Sequence, residues 1–259
     1  MDSTIYIKGN FILGGNMSRI PKIIHYCWFG NNEKPDIVKK CINSWKENLK
    51  DYEIIEWNEE NFDININDYV KEAYENNKYA FVSDYVRVYV LYNMGGIYFD
   101  TDVEVFKPLD EFLQEDSFWG FEEKDYIATS TIGAKKGNRL IKKFLDFYEG
   151  KSYSQMRENI ETSTNVQIVT NIMKDIGVKM NGKKQTIEGV GSIYPQDYFS
   201  PYDYINLIDK RSNNTYTMHH FYKSWLSPKD RAKSNIKKIL AKTIGGENIA
   251  KIRGLISKA

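Results

Sequence analysis

The stretch from Gly95 to Val105, GGIYFDTDVEV, constrains the fold of this chain most strongly. Two glycines precede three strand-forming residues, and the apolar run stops at two carboxylates, Asp100 and Asp102. A strand that is apolar on both faces is typical of the centre of an α/β sheet, and such sheets bind ligands beyond the carboxyl ends of their strands. We therefore predict an α/β fold with a binding site at these aspartates.

Two aspartates separated by one residue indicate a divalent cation, because Mg²⁺ and Mn²⁺ are often held by one or two carboxylates together with substrate phosphates. A solvated turn is one alternative use of these residues. An EF-hand loop from Asp100 to Glu111 is another, but it needs glycine at its sixth position, where this chain has Val105 in a strand-like alternation. We predict a metal site for a diphosphate-bearing substrate.

Composition is that of one folded domain with a small appendage. The chain has 259 residues, 41% of them apolar, which is enough for a sizeable core. It has neither a membrane-spanning apolar run nor the pattern of a secretory signal, so we expect a cytoplasmic protein. Cys27 and Cys41 lack metal-motif spacing and are predicted to be reduced core thiols, and His25 is predicted to be a core histidine with satisfied nitrogens.

Charge is distributed unevenly along the chain. The net charge is +1, but the segment from Lys223 to the C-terminus has ten basic residues against two acidic ones. The remainder is acidic overall, which argues against nucleic-acid binding. The basic segment has the pattern of two amphipathic helices, which would either contact an anionic membrane at the inner face of the plasma membrane or pack on the domain or on another copy.

Periodicity predicts a βαβ unit at the start of the domain. Residues 22–29 and 52–57 have the pattern of strands, and Pro35 begins a helix between them. Gly95 is predicted to end the helix that leads into the aspartate strand. The other predicted helices and strands are helices at 65–76, 79–93, 138–148 and 166–173, and strands at 117–121, 126–134, 187–194 and 215–219.

Three motifs in fixed order resemble those of a known enzyme family. PKIIHYCWFG, AFVSDYVRVYVLYNMGGIYFDTDVEV and MHHFYKSW are similar to motifs of the Och1-like, Asp-x-Asp-containing glycosyltransferases of family 32. The core motifs are also similar to the glucosyltransferase domain of the large clostridial toxins, and some bacterial members are encoded with capsule and surface-polysaccharide genes. The resemblance covers roughly residues 20–226.

This resemblance implies a GT-A fold, a Rossmann-like α/β domain that uses a nucleotide sugar with Mn²⁺ or Mg²⁺ and retains the configuration at the anomeric carbon. We assign residues 1–16 to an N-terminal extension, 17–227 to the GT-A domain and 228–259 to a C-terminal helical appendage. The implied donor is a UDP-sugar in preference to a GDP-sugar. The implied acceptor is a glycan or lipid-linked saccharide in surface polysaccharide synthesis.

The resemblance also implies residues on the donor side. Trp28 matches the aromatic residue that stacks on the nucleobase, and Tyr98 matches a tyrosine near the diphosphate. Asp84 matches the acid that contacts the ribose or base, and Arg87 the arginine that reaches the donor sugar. The aromatic residues have the alternative of being core side chains, and the Asp–Arg pair that of being an ordinary i, i+3 surface ion pair.

The cation ligands follow from the same resemblance. Asp100 matches the acid that contacts the ribose and metal-bound water, and Asp102 matches the direct metal ligand. These aspartates would share one face of a strand. A third ligand is implied at His219 or His220, and we assign it to His220. Arg87 completes the predicted catalytic set.

The C-terminal motif and the acceptor side complete the prediction. Ser224 and Trp225 match residues that donate hydrogen bonds to phosphate oxygens. Acceptor contacts are predicted by position alone, at 129–131 and 165–167, because Thr164-Asn165-Val166 stands where many family members have a Gly-Pro pair.

Two other functions share parts of this pattern. A hydrolase or phosphotransferase acting on nucleotide diphosphates would share the cation site, but the chain has no phosphate-cradling P-loop. A catalytically silent sugar-nucleotide-binding module would be expected to have lost some of the predicted residues. A double-displacement mechanism would need a carboxylate near the anomeric carbon, and Glu122 and Glu123 are candidates by position.

Overall fold

A mixed eight-stranded sheet organises the part of the chain that this computed structural model describes, residues 19–123, 125–158, 164–204 and 206–222. The strands are β1 (Ile23–Cys27), β2 (Glu53–Trp57), β3 (Gly96–Phe99), β4 (Val103–Val105), β5 (Ser117–Glu123), β6 (Tyr126–Ile127), β7 (Thr131–Ala134), β8 (Gln185–Ile187), β9 (Gly191–Tyr194), β10 (Tyr202–Asp203), β11 (Ile208–Asp209) and β12 (Thr217–His219). The helices are α1 (Asp36–Asn48), α2 (Asp68–Glu75), α3 (Tyr79–Met94), α4 (Arg139–Asp146), α5 (Tyr153–Glu158), α6 (Asn165–Asp175) and α7 (Gln196–Phe199).

The strand order of the main sheet is β2-β1-β3-β7-β5-β9-β8, with β6 beside β5. The predicted βαβ unit is confirmed, because β1 and β2 are parallel and α1, which begins directly after Pro35, joins them. The strands β1, β2, β3, β5 and β9 run in one direction, and β7 runs in the opposite direction between β3 and β5. The predicted α/β class is confirmed, and the topology is consistent with a GT-A-like fold.

Alternation along β3 divides the core into two layers. Ile97 and Phe99 pack in the layer that contains Trp45 of α1, whereas Tyr98 packs in the layer formed with α2, α3, α4 and α6. Successive side chains of a strand point to opposite faces of its sheet, so an apolar strand serves both layers. The aspartate strand therefore lies inside the sheet, as the sequence predicted.

The two cysteines and His25, on β1 and α1, have the buried states that the sequence predicted. Cys27 and Cys41 are buried free thiols. His25 is fully buried, its Nε2–H donates to the Gly95 carbonyl over 2.8 Å, and its Nδ1 accepts from Trp57 Nε1 over 3.2 Å. Burial lowers the pKa of His25 to about 4, so the imidazole is a neutral core group.

Two predicted strands are each divided in the structure. The strand predicted at 126–134 is β6 and β7, because residues 128–130 bond outside a regular ladder. The strand predicted at 187–194 is the hairpin of β8 and β9, which turns through Gly189 at φ +70°. Both errors arise because the pattern of apolar residues does not show where the hydrogen bonding between strands is interrupted.

None of the helices within the described ranges is both long and apolar enough to span a bilayer. The predicted N-terminal extension (1–16) and the predicted helical appendage (228–259) lie outside these ranges.

Candidate active site

The two aspartates lie on a tight turn at the carboxyl end of β3. The Val103 amide donates to the Asp100 carbonyl over 3.0 Å, and the Asp100 amide donates to the Ser130 carbonyl over 2.9 Å. Because the backbone turns here, the expectation that the two carboxylates share one strand face is wrong. Asp100 contacts α3, and Asp102 contacts the end of β12 and the segment that follows it.

Arg87 is the buried centre of a charge cluster. Its side chain is 6% exposed, and Nη2 lies 2.8 Å from Asp84 Oδ1 and 3.2 Å from Asp100 Oδ1. Nη1 donates to the Thr129 carbonyl over 2.7 Å, and the guanidinium carbon lies 4.7 Å from the centre of the Tyr98 ring. The pair of Asp84 and Arg87 is therefore not an ordinary surface ion pair.

The electrostatics of this cluster follow from burial and from the opposed charges. Burial raises the pKa of Asp84 to about 7, against the lowering effect of the Arg87 charge. Burial opposes the charge on Arg87, but its neighbours, Asp100 foremost and Asp84 among the others, together outweigh burial and raise the arginine pKa. Within the described residues the buried Arg87 Nε has no hydrogen-bond partner, so one donor of this fixed cation is left unpaired.

Tyr98 packs its ring against the Arg87 guanidinium. Its side chain is fully buried, and it presents the face of its ring to the guanidinium. This is the core position that the sequence allowed as an alternative. A contact between Tyr98 and a donor diphosphate stays a prediction.

Asp102 is bound by the last residue of β12 and by the residues that follow it. Its Oδ1 lies 3.2 Å from His219 Nε2, its Oδ2 accepts from the Tyr222 amide over 2.6 Å, and its carbonyl accepts from the His220 amide over 3.0 Å. Burial opposes ionisation of Asp102, but the neighbouring His219 lowers the pKa of the carboxyl to about 2. The same pairing raises the pKa of His219 to about 9 in spite of burial.

The two adjacent histidines have different partners. His219 contacts Asp102, whereas His220 Nε2 lies 2.8 Å from Glu104 Oε2, which Lys40 also contacts. A role for His220 as the third metal ligand stays a prediction, and this structure instead brings His219 to the aspartate. Ser224 and Trp225 lie outside the described residues.

The residues around Asp102 fit a hard cation in part. Among the described residues no group of three or more His, Cys, Asp or Glu side chains is arranged to hold a metal ion. Two carboxylates at a strand end are nevertheless sufficient for a cation that also takes phosphate oxygens and water. The buried Nδ1 of His219 has no hydrogen-bond partner among the described residues, and the raised pKa of this histidine keeps the nitrogen protonated while the ring is paired with Asp102.

Trp28 lies at the same edge of the sheet as the aspartates, because it follows β1 and β1 is parallel to β3. The indole is half-buried, its Nε1 donates to the Asn32 carbonyl over 2.7 Å, and Lys34 Nζ lies 5.5 Å from the centre of the ring. Stacking of Trp28 on a base stays a prediction. Glu122 and Glu123 end β5 at this same edge.

Both predicted acceptor segments converge on the Arg87 cluster. The Thr129 carbonyl accepts from Arg87, and Asn165 Nδ2 donates to Asp84 Oδ1 over 2.8 Å. Sequence reasoning missed Tyr148, whose hydroxyl donates to Asn165 Oδ1. No local pattern marks this tyrosine, because its partner is on another helix.

Comparison with known proteins identifies the family. The model of the family described as "Capsular polysaccharide synthesis protein" matches residues 14–199, so the chain belongs to this family.

Curated relatives match part of the chain. Inositol phosphoceramide mannosyltransferase 3 of Schizosaccharomyces pombe is 29% identical over 137 residues, which are 50% of this chain and 37% of the relative. Inositol phosphoceramide mannosyltransferase 1 of the same organism is 30% identical over 113 residues, 40% of this chain and 34% of the relative. Subversion of eukaryotic traffic protein A of Legionella pneumophila is 25% identical over 175 residues, 54% of this chain and 27% of the relative. The chain thus spans about a third of the length of these relatives.

Two solved structures are similar in fold. The PaToxG glycosyltransferase is 20% identical with a TM-score of 0.48, covering 61% of this chain and 70% of its own. A glycosyltransferase involved in glycosylation of the major capsid of PBCV-1 is 11% identical with a TM-score of 0.48, covering 84% of this chain and 99% of its own.

Proposed function

We propose that this protein is a metal-dependent glycosyltransferase that moves a sugar from a nucleotide sugar to a saccharide or lipid-linked saccharide acceptor in surface polysaccharide synthesis. The observation that carries the proposal is the buried Arg87 between Asp84 and Asp100, with Asp102 two residues further on, at the carboxyl edge of the sheet. A departing diphosphate needs fixed positive charge at such an edge. Membership in a capsular polysaccharide synthesis family and the names of two relatives support the same reaction class.

Each residue of the cluster has a proposed role. Asp100 and Asp102 would hold Mn²⁺ or Mg²⁺, and a bound cation would neutralise the charge on the leaving diphosphate. Arg87 is held rigidly by two carboxylates, a carbonyl and an aromatic face, so it presents its charge without reorganisation. Trp28 at the end of β1 would stack on the base.

The finer assignments are part of the proposal. The resemblance to family 32 and to the toxin domain supports retention of configuration and a UDP-sugar donor. The names of the two yeast relatives support a mannosyl donor, and a GDP-sugar is the alternative carrier. In a retaining reaction the acceptor hydroxyl would attack from the same face that the diphosphate leaves. The contact between Arg87 and Thr129 joins the predicted donor segment to the predicted acceptor segment, where such an attack would take place.

We also propose a cytoplasmic location with peripheral contact between the basic C-terminal segment and an anionic membrane surface. The membrane contact is supported by the composition of this segment, which has ten basic residues and two acidic ones. Binding to anionic vesicles that weakens with added salt is the expected result, and absence of binding at low salt would contradict the proposed contact.

The test of the reaction is nucleotide release from a panel of UDP- and GDP-sugars, including mannosyl donors, with Mn²⁺ or with EDTA. One donor should be turned over in Mn²⁺, and the turnover should be lost in EDTA and in Asp102→Asn. The matched control is Asp146→Asn, which removes a carboxylate that pairs with Lys142 on an exposed part of α4 and should leave turnover unchanged.

Each other outcome has a definite meaning. Turnover that survives both EDTA and Asp102→Asn would contradict metal dependence. Absence of nucleotide release from every donor in the panel, together with absence of donor binding in calorimetry, would contradict the glycosyltransferase proposal. Binding without turnover would favour the silent-module alternative.

A further inference from the structure

A chain of buried polar contacts leads from α6 into the Arg87 cluster. The Tyr148 hydroxyl donates to Asn165 Oδ1, and Asn165 Nδ2 donates to Asp84 Oδ1 over 2.8 Å and to the Asp84 carbonyl over 3.2 Å. The same Asp84 Oδ1 accepts from Arg87 Nη2, which faces Asp100. We infer that Asn165 is a positioning residue of this site: it holds Asp84 in place and, through Asp84, aims Arg87 at Asp100.

The chemistry of the contacts requires an amide at position 165. Asp84 Oδ1 accepts from Arg87 Nη2, and Asn165 contacts the same oxygen and the Asp84 carbonyl, so the group at 165 that faces Asp84 must donate. The Tyr148 hydroxyl donates to the other end of the same side chain, so that end must accept. Among side chains of this size, only asparagine supplies a donor at one end and an acceptor at the other. The two partners also settle the orientation of the amide.

Because these contacts are buried, the loss of either hydrogen-bond partner should be costly. Asn165 is 4% exposed and Tyr148 is 1% exposed, so water cannot replace a lost partner. An alanine at 165 would leave the tyrosine hydroxyl and one acceptor site of Asp84 unsatisfied. An aspartate at 165 would place two carboxylates in contact, and one of them would have to turn away or take a proton.

The position of Asn165 links two parts of the site. It is the first residue of α6, in the predicted acceptor segment, whereas Asp84 and Arg87 are on α3 in the predicted donor segment. Arg87 has three competing acceptors, on Asp84, Asp100 and Thr129. Its direction therefore depends on Asp84 keeping one orientation. The inference rests on the proposed function only for what Arg87 does to the substrate.

The first experiment compares Asn165→Ala with Asn138→Ala. Asn138 is the matched control, because it is also a buried asparagine at a helix N-terminus, with Nδ2 donating to the Asp116 and Val190 carbonyls. Both variants should lower the urea midpoint of unfolding. Only Asn165→Ala should lower kcat/KM, by about tenfold or more, the scale of a lost hydrogen bond to a charged group.

A spectroscopic readout makes the test independent of the donor. In protein labelled with ¹⁵N-arginine, the Arg87 guanidinium resonance, assigned with Arg87→Lys, should exchange slowly with solvent in the wild type and in Asn138→Ala. It should exchange faster in Asn165→Ala, because the guanidinium is no longer held in one direction.

A charge-and-amide swap tests the contact itself. Asn165→Asp alone should lower the urea midpoint strongly. The double variant Asp84→Asn with Asn165→Asp should recover at least half of that loss. In this variant the carboxylate at 165 can accept from Tyr148 and from the new amide at 84, and the oxygen of that amide can accept from Arg87.

The results separate this inference from the proposed reaction. If the wild type turns over no donor, the proposed function fails. The hydrogen-exchange and double-variant measurements do not depend on turnover, so they still test the role of Asn165. The inference is overturned if Arg87 exchange is unchanged in Asn165→Ala, if its activity falls no further than that of Asn138→Ala, or if the swap is no more stable than Asn165→Asp.

Discussion

At the scale of single residues, Arg87 shows how burial makes a charge both costly and useful. The side chain is 6% exposed and is compensated by Asp84, Asp100 and a backbone carbonyl. A buried ion pair adds little net stability compared with an apolar pair, but removal of one partner leaves the other charges uncompensated. Loss of one member of the cluster is therefore expected to destabilise the fold, although the intact cluster adds little net stability.

Replacement of Arg87 tests this point. We expect Arg87→Ala to lower the free energy of unfolding by up to about 3 kcal/mol, because two partly buried carboxylates lose their buried cation. Urea unfolding near neutral pH measures the change. The control is Lys142→Ala, which breaks an exposed ion pair with Asp146 and should cost far less. Equal losses in the two variants would contradict the described burial of the cluster.

His25 provides a pH-dependent contribution to stability that is separate from the candidate site. Its pKa in the folded protein is lowered to about 4 by burial, from an ordinary value of 6.5. Between these two pH values the unfolded chain binds a proton that the folded protein does not, so acid favours the unfolded state. The neutral histidine therefore supports the fold above pH 6.5, and this support is lost as the pH falls towards 4.

Urea unfolding of the wild type and of His25→Gln across this pH range measures the contribution. Glutamine retains a donor and an acceptor but does not titrate in this range. The wild type should lose up to about 3 kcal/mol more than the variant between pH 6.5 and 4. Identical pH dependence in both proteins would show that His25 is protonated, or accessible to water, in the fold.

At the scale of elements, the junction of α3 and β3 sets the position of the aspartate turn. Gly95 caps α3 at φ +71°, and Gly96 begins β3 at φ +113°. A Cβ on Gly96 would lie 2.7 Å from the Ile23 carbonyl oxygen and 2.8 Å from His25 Nε2. Only glycine allows β3 to lie this close to β1, so the double glycine determines where Asp100 and Asp102 emerge.

Substitution of Gly96 by alanine should therefore cost more than backbone strain alone. We expect Gly96→Ala to lower the free energy of unfolding by at least about 2 kcal/mol, because both strain and a clash with backbone are introduced. Gly137→Ala is the control, since Gly137 also has positive φ, at +71°, but a Cβ there meets nothing within 4 Å. Similar losses in the two variants would mean that β3 can move away from β1.

At the scale of the whole molecule, the candidate site is a property of one edge of the sheet. The parallel strands β1, β3 and β5 end there, and they carry Trp28, the aspartates and the two glutamates into one region. Helix α3 adds its charged pair at Asp100, and the end of β12 adds His219 at Asp102. A ligand that binds here would stabilise both layers.

Mn²⁺ should consequently raise the melting temperature of the whole domain if Asp100 and Asp102 hold it. At a concentration about 100 times the dissociation constant, binding to the folded state adds about 2.7 kcal/mol. Differential scanning calorimetry with and without Mn²⁺ measures the shift, which should be lost in Asp102→Asn and kept in Asp146→Asn. A shift of the same size in Asp102→Asn would place the cation elsewhere.

Much of this architecture was predictable from local patterns. The βαβ unit, the helix that ends at Gly95, the apolar strand and the Asp-x-Asp pair depend on residues that are neighbours in sequence, and their propensities agree with the final fold. The breaks within 126–134 and 187–194 were not predictable, because they depend on which distant backbone groups take the hydrogen bonds.

The sequence by itself determined the fold class, the central strand and the residue types at its end, because periodicity and turn chemistry act over a few residues. Only the tertiary structure decided the partners: Asp100 meets Arg87, Asp102 meets His219 and not His220, and Asn165 meets Asp84 across 81 positions. Buried polar groups must pair with whatever packing brings within hydrogen-bond reach. That choice depends on how the helices and strands pack together, which no local pattern encodes.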